Sequence, residues 1–231
     1  MTSRSTVALI TGGSAGLGLA LTRALSQRGW TLVVDARRAD RLRAAVADLP
    51  NVHAVPGDVT DPEHLRELAA TVDRLGRLDL VICNASTLGV SPLPRLADYP
   101  LDEFLSVLRV NVTGPLAVIQ TMLPRLSPGA ALVTVTSDAA VEAYPTWGGY
   151  GASKAALEQL TSVFAAEHPE LSVYCFDPGD MRTEMHQAAY PGEDISDRPD
   201  PDEVAVPALL RLVDDRPASG RYRAADLVVP A

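Results

Sequence analysis

The chain has 231 residues, 47% hydrophobic and 21% charged, which is the composition of a soluble globular protein and the length of one domain, expected to span residues 1–231. Its 20 basic and 29 acidic side chains leave a net charge of −9 with no basic run, which argues against nucleic-acid and anionic-membrane partners. Apolar stretches such as Ala130 to Val133 fall far short of the ~20 residues a membrane helix needs. The opening Met1-Thr2-Ser3-Arg4 leaves no room for a signal peptide before strand-like residues begin at Thr6. Cys83 and Cys175, set in apolar runs, read as buried thiols of a cytoplasmic, reducing compartment, with neither a disulfide nor a metal site expected.

The elements follow in order. Val7–Ile10 is a strand, a glycine cluster follows, and Leu17, Ala20, Leu21, Ala24 and Leu25 recur at helical spacing from Gly16 to Arg28. After Gly29, Thr31–Val34 is the second strand, Ala39–Leu49 an amphipathic helix and Val52–Val55 the third strand. Asp61 caps a helix that has Pro62 at its first position and ends at Gly76. Leu80–Cys83 is the fourth strand, Leu101–Leu126 a helical region kinked or broken at Pro115, and Ala131–Thr136 the fifth strand. Tyr150–Glu167 is helical, Ser172–Phe176 the sixth strand, Asp202–Val213 the last helix and Leu227–Val229 a final strand. Strands apolar on both faces, alternating with helices, predict a doubly wound parallel sheet of Rossmann type with helices on both faces. The Pro- and acid-rich stretch Tyr190–Glu203 reads as a mobile surface excursion within the domain.

Three features carry chemistry. The first strand enters Thr11-Gly12-Gly13-Ser14-Ala15-Gly16-Leu17-Gly18, which opens the first helix. Glycines there let the backbone approach a pyrophosphate, and the helix N-terminus supplies N–H groups to bind it. A glycine turn can also be only a tight strand-to-helix connection, but the strand before it and the helix after it are the context that phosphate binding requires. The second feature is Tyr150 and Lys154, four residues apart and so on one helical face. An ammonium beside a phenol lowers its pKa and makes Tyr150 a general acid/base. Lys154 is the only lysine in the chain, which points to a need for a compact ammonium at that position. The third is Ser137 at the carboxyl end of the fifth strand, on the crevice side of an open α/β sheet.

With these residues in view, the sequence resembles the short-chain dehydrogenase/reductase family, in its compact single-domain branch, from about Thr6 to Val229. The resemblance rests on the glycine turn, Asp58-Val59, Asn84-Ala85, Asn111, Ser137, Tyr150, Lys154, Pro178-Gly179 and Thr183. It implies a catalytic set of Asn111, Ser137, Tyr150 and Lys154. In that set Tyr150 exchanges the proton, Lys154 holds the nicotinamide ribose, Ser137 polarises the carbonyl and Asn111 holds a relay water. It also implies cofactor contacts from Gly12, Ser14, Gly16, Leu17, Gly18, Asp58, Val59, Asn84, Ala85, Pro178, Gly179 and Thr183. One departure stands out: where the family has Asn-Ala-Gly after the fourth strand, this chain has Asn84-Ala85-Ser86.

The cofactor implied is NADP(H), with NAD(H) possible. Ala36 replaces the acid that favours NAD, and Arg37 resembles the arginine that clamps a 2′-phosphate. Against this, Asp35 stands one residue early and could reach the ribose, and Ala15 lies where many NADP enzymes carry a basic residue. Residues of about 184–203 would form a substrate lid, and Met181, Met185, His186, Tyr190, Val141, Tyr144 and Trp147 suggest a hydrophobic carbonyl or alcohol as the small-molecule partner. The family implies a homodimer or homotetramer. The expected activity is interconversion of a carbonyl and a secondary alcohol. A non-catalytic dinucleotide sensor or scaffold is the alternative, and an epimerase or dehydratase is disfavoured because little chain follows Thr183.

Overall fold

In the computed structural model, which describes residues 6–227, strand and helix alternate from the start: β1 (Val7–Ile10), α1 (Gly16–Gln27), β2 (Thr31–Ala36), α2 (Ala39–Val46), β3 (Val52–Pro56), α3 (Pro62–Leu75) and β4 (Leu78–Cys83). They continue through α4 (Leu101–Leu108), α5 (Gly114–Met122), β5 (Leu126–Val135), α6 (Gly148–Glu167), β6 (Ser172–Asp177), α7 (Glu184–Ala189), α8 (Ala205–Asp215), β7 (Gly220–Arg223) and α9 (Ala224–Leu227). The sheet has the order β3-β2-β1-β4-β5-β6-β7, and every neighbouring pair is parallel. Its order reverses between β1 and β4, so the crevice opens at their carboxyl ends.

Strand alternation divides the core. Ala8, Ile10, Leu32, Val34, Leu80, Ile82, Val133 and Phe176 pack on one face with Leu21 and Leu25 of α1, Leu42 of α2 and Leu209 and Leu212 of α8. Val7, Leu9, Val33, Val81, Leu132 and Val173 pack on the other with Leu68 and Val72 of α3, Ile119 and Met122 of α5 and Phe164 of α6. This period-2 sorting is the physical reason the strands read as apolar throughout. The α3 cap is as expected: the Asp61 side chain accepts from the Glu63 N–H, with Pro62 in the first turn.

Three expectations change. The final strand is Gly220–Arg223, paired to β6 at the sheet edge. Leu227 instead closes the short α9, and 228–229 lie outside the described residues. An edge strand needs no apolar run, so Gly-Arg-Tyr-Arg carried little signal. The helical region does not break at Pro115. It runs from Leu101 to Arg125, with a π-helical turn at Arg109–Thr113 just before that proline. This run is long and apolar enough to span a bilayer by length and composition, yet its Val118, Ile119 and Met122 are buried against the sheet. Finally, the stretch 190–203 is anchored. Ile195 is buried, Arg182 pairs with Asp200, the Arg182 N–H donates to the Pro199 carbonyl at 2.9 Å, and Gln187 Nε2 donates to the carbonyls of Tyr190 and Glu193.

Candidate active site

The glycine turn is fixed by its neighbours. The Thr11 hydroxyl accepts from the backbone N–H of Asn84 and of Ala85, each at 3.0 Å, and Asn84 Nδ2 donates to the carbonyls of Thr11 at 2.9 Å and Gly12 at 3.3 Å. Gly12 and Gly16 have φ of +73° and +50°, a region that favours glycine. Gly18 is required for a different reason: a Cβ there would stand 2.4 Å from the Gly12 carbonyl oxygen and 2.5 Å from Asn84 Nδ2. Ala15 precedes α1 in extended conformation with no side-chain cap, so the N–H groups of the first turn remain available to an anion. Ser14 and Leu17 line the same cleft.

Asp35 borders the cleft at the end of β2 but bonds within the protein. It is 1% exposed, with one carboxylate oxygen accepting from the Gly12 N–H at 2.8 Å and the other meeting His64 Nε2 at 3.1 Å. Burial holds its carboxyl above the usual range, while the bonds from His64 and Gly12 pull it down. Asp35 is thus a structural tie beneath the glycine turn. What faces the cleft at the end of β2 is Arg37 with Arg38, and Arg41 of α2, whose guanidinium donates to Glu184 of α7 at 2.8 Å. Asp58 lies on the same wall. Burial raises its carboxyl, but the N–H and hydroxyl of Thr60 and the charges of Arg37 and Arg109 outweigh this and hold it low. Val59, buried, packs where a Cβ on Gly114 would lie 3.1 Å from its Cγ2.

The cleft, about 810 Å³, runs from these arginines past Asn84 and Ala85 to Trp147 and Tyr190. Ser137 follows β5 and caps a short 3-10 turn. Its hydroxyl accepts from the Ala139 N–H at 3.2 Å and donates to Asp138 at 2.9 Å, and Asp138 also accepts from the Tyr144 hydroxyl. Tyr150 lies in the first turn of α6, its ring edge-on to Trp147 at 5.8 Å. One turn on, the Lys154 ammonium is 5.4 Å from the Tyr150 ring centroid and donates to the Val135 carbonyl at 2.8 Å. Burial brings Lys154 down to about 8 and pushes the Cys83 thiol beside it up to about 12.

The Tyr150 phenol is displaced upward, where the Tyr–Lys spacing alone pointed down. Burial dominates, the carboxylates of Asp177 and Asp138 add to it, and the hydroxyls of Ser86 and Ser137 pull the other way. Asn111 sits in the π-turn, fully buried, and its amide is spent on protein partners. Nδ2 donates to the Thr87 carbonyl at 2.8 Å and Ser153 Oγ at 2.9 Å, while Oδ1 accepts from the Thr87 N–H at 2.9 Å and Ser86 Oγ at 3.1 Å. No side-chain donor of Asn111 is left for a water.

Beyond β6, Pro178 and Gly179 (φ +72°) line the cleft and Thr183 caps α7, its hydroxyl accepting from the His186 N–H at 3.1 Å. Tyr190 closes that end, with ring contacts to Trp147 at 6.0 Å and His186 at 5.1 Å. Sequence reasoning missed several supporting residues. Arg221 of β7 donates to Asp177 at 2.8 Å, Glu158 at 2.9 Å and the Ser137 carbonyl at 3.3 Å, bracing the turn behind the cleft. Ser153 ties Asn111 to the Tyr150 carbonyl, donating to it at 2.6 Å. Nothing in the local sequence marks Arg221. Ser86 was visible as a departure, but its partners were not.

Known proteins fit this geometry. A family model for short chain dehydrogenase matches residues 6–194. The chain is 33% identical over 184 residues to serine 3-dehydrogenase of Agrobacterium fabrum, covering 77% of this chain and 72% of that protein. It is 34% identical over 194 residues to dehydrogenase/reductase SDR family member 4 of Bos taurus, covering 80% and 68%. An alcohol dehydrogenase from Thermococcus sibiricus, solved with 5-hydroxy-NADP, superposes with a TM-score of 0.83 at 28% identity over 95% of each chain. A structure from Escherichia coli CFT073 complexed with NADPH superposes with a TM-score of 0.88 at 28% identity, over 95% of this chain and 96% of that one. With the sheet order, the glycine turn and the Ser137, Tyr150 and Lys154 wall all in place, this chain belongs to the short-chain dehydrogenase/reductase family.

Proposed function

We propose that this oxidoreductase interconverts a small carbonyl compound and a secondary alcohol with NADP(H), within one dinucleotide-binding and catalytic domain. The observation that carries the reading is the wall formed by Ser137, Tyr150 and Lys154, which borders the same cleft as the glycine turn. The residues present suit a dinucleotide: Gly12, Gly16 and Gly18 leave a cradle that side chains would fill, and the uncapped start of α1 suits a pyrophosphate. When bound, the nicotinamide cofactor supplies or accepts the hydride. Gly12, Ser14, Gly16, Leu17 and Gly18 would hold its phosphates, Asp58, Val59, Asn84 and Ala85 its adenosine side, and Lys154, Pro178, Gly179 and Thr183 its nicotinamide end.

Tyr150, held as a neutral phenol by burial, is ready to give its proton to a substrate oxygen in the direction of reduction. Ser137 must turn its hydroxyl from Asp138 to that oxygen, where it stabilises developing charge. Lys154, charged below about pH 8, offsets the charge left on Tyr150. NADP(H) is favoured by Arg37 and Arg38 just after β2 and by the bonds of the Asp35 carboxylate to Gly12 and His64, which occupy it within the protein. Trp147, Tyr190 and Met181 suit an apolar or aromatic substrate, with α7 and the anchored stretch after it as the lid. Exposed Leu96, Leu101, Leu105 and Val163 accord with a homodimer or homotetramer, and buried free Cys83 and Cys175 with a cytoplasmic location.

The test is a panel of ketones, aldehydes and alcohols followed by cofactor absorbance, with both reduced and both oxidised cofactors. Turnover of at least one carbonyl substrate is expected. Tyr150→Phe should lower it roughly 10²- to 10⁴-fold while cofactor affinity changes only a few-fold. Cofactor binding without turnover across the panel would favour the sensor or scaffold alternative.

A further inference from the structure

Arg221 stands on the edge strand β7, beyond the residues 6–194 that the family model matches. Its half-buried guanidinium draws together acceptors from three parts of the fold. Nε donates to Glu158 of α6 at 2.9 Å. Nη2 donates to the buried Asp177 carboxylate at the end of β6 at 2.8 Å and to the Ser137 carbonyl after β5 at 3.3 Å. Each acceptor is tied onward. Glu158 also accepts from the Thr136 hydroxyl at 2.7 Å, and the Thr136 N–H donates to the Phe176 carbonyl at 2.8 Å. The other Asp177 oxygen accepts from the Gly179 N–H at 3.0 Å. The ends of β5 and β6, one leading to Ser137 and the other to Pro178 and Gly179, therefore meet at a single side chain.

This arrangement fixes the backbone of Ser137 and leaves its hydroxyl able to turn. The Ser137 carbonyl accepts from the Ala140 N–H at 3.1 Å as well as from Arg221, while the hydroxyl donates to Asp138 within its own turn. Rotation about χ1 carries the hydroxyl along a path that the backbone position sets. Where it arrives at a substrate oxygen thus depends on where the backbone is held, and a misplacement of about 1 Å can cost about 10²-fold in rate. A guanidinium suits the place because its planar fork serves several acceptors at once, whereas an ammonium on a flexible stem is a point charge.

We propose that Arg221 is a positioning residue that fixes the backbone of Ser137, and so the point from which the Ser137 hydroxyl reaches the substrate oxygen. This rests on Ser137 as the group that polarises the carbonyl. Arg221 touches neither substrate nor cofactor and acts through the turn it holds.

The experiment uses two changes at this position in the full-length protein. Arg221→Lys keeps a cation for the buried Asp177 but gives up the fork. Arg221→Met combined with Asp177→Asn removes cation and anion together, so that neither is left buried alone, and the asparagine still offers an oxygen to the Gly179 N–H. Each is made in the parent and on a Ser137→Ala background, and kcat, KM for one carbonyl substrate, NADPH affinity by fluorescence titration and denaturant melts are measured. One folded variant of the two suffices for the comparison. In the parent, kcat should fall roughly ten- to hundredfold, with KM and NADPH affinity within about threefold and a cooperative melt retained. On Ser137→Ala, itself slowed, the same changes should lower kcat by less than about twofold, because the hydroxyl that Arg221 places is already gone. Slowed turnover in Ser137→Ala, with Arg221 variants that match the parent or lose equally on both backgrounds, overturns the role of Arg221 and leaves that of Ser137 standing. Parental turnover in Ser137→Ala overturns the polarising role of Ser137 and this inference with it.

Discussion

Helices α1 and α6 approach the cleft in the same way, each through a glycine pressed against a backbone carbonyl, yet they present opposite chemistry. Gly18 brings α1 onto the Gly12 carbonyl, and Gly151 brings α6 onto the Ala139 carbonyl, where an added Cβ would stand 2.4 and 2.6 Å away. Around α1 the cleft is walled by backbone N–H groups, which carry no titrating charge. Around α6 it is walled by hydroxyls and carboxylates together with a phenol and an ammonium, and burial has displaced the protonation of the last two. The first region therefore suits recognition chiefly by shape, and the second offers groups whose charge depends on pH. One fold holds both because close helix-to-loop contact needs only a glycine, whatever the neighbouring side chains do.

The sharpest break is a matched pair of substitutions. Neither clash is with a flexible side-chain tip, so the backbone must shift, at a cost of about 1–3 kcal/mol. Gly18→Ala should weaken cofactor binding by roughly ten- to hundredfold. Gly151→Ala should instead move Tyr150 away from Ser137 and lower kcat, with cofactor affinity within a few-fold. Titration of cofactor fluorescence alongside steady-state kinetics separates the two. Equal losses of affinity in both variants would erase the distinction between the regions.

A second test concerns the one place where the α1 side of the cleft relies on charge. Arg37→Ala should weaken NADPH binding roughly ten- to hundredfold, the value of a charge-assisted hydrogen bond, and leave NADH within a few-fold. An equal effect on both cofactors would place Arg37 away from the 2′-phosphate.

The smallest effect is in stability and belongs to α6. Burial drops Lys154 from 10.5 to about 8, which corresponds to about 3 kcal/mol of native-state penalty at about 1.36 kcal/mol per pH unit. The sign follows from proton counting. Below about pH 8 both folded and unfolded chains carry the charge, and the folded one bears the full penalty. Between about 8 and 10.5 the unfolded chain binds more protons, so stability rises with pH through that window. Lys154→Met should thus abolish turnover yet raise stability at pH 7 by about 2 kcal/mol, after loss of the bond to the Val135 carbonyl, worth about 1 kcal/mol. That gain should disappear by about pH 10.5, as read by denaturant melts across the range. A variant no more stable than the parent at pH 7 would refute the buried-ammonium penalty.

How much was legible can be read from particular residues. The glycine turn, the first strand, the Asp61 cap and the Tyr150–Lys154 pair each depend on spacing within one turn or one strand, and the chain order alone displays them. β7 and the anchoring of 190–203 were hidden because their residues are polar and owe their structure to partners in β6 and near Arg182. The π-turn was hidden because Pro115 offered a simpler reason for irregularity at the same place.

The sequence by itself thus determined the alternation of strand and helix, the phosphate-ready turn and the helical face shared by Tyr150 and Lys154. These follow from backbone geometry that extends over only a few residues. Only the tertiary structure decided that Asp35 bonds to Gly12 and His64, that Arg221 reaches across from the sheet edge to Asp177, and that Ser86 meets Asn111. It also decided the direction in which Tyr150 and Lys154 titrate. Desolvation and partner choice arise between segments far apart in the chain, and no local pattern of residues encodes which carboxylate or hydroxyl will be the neighbour.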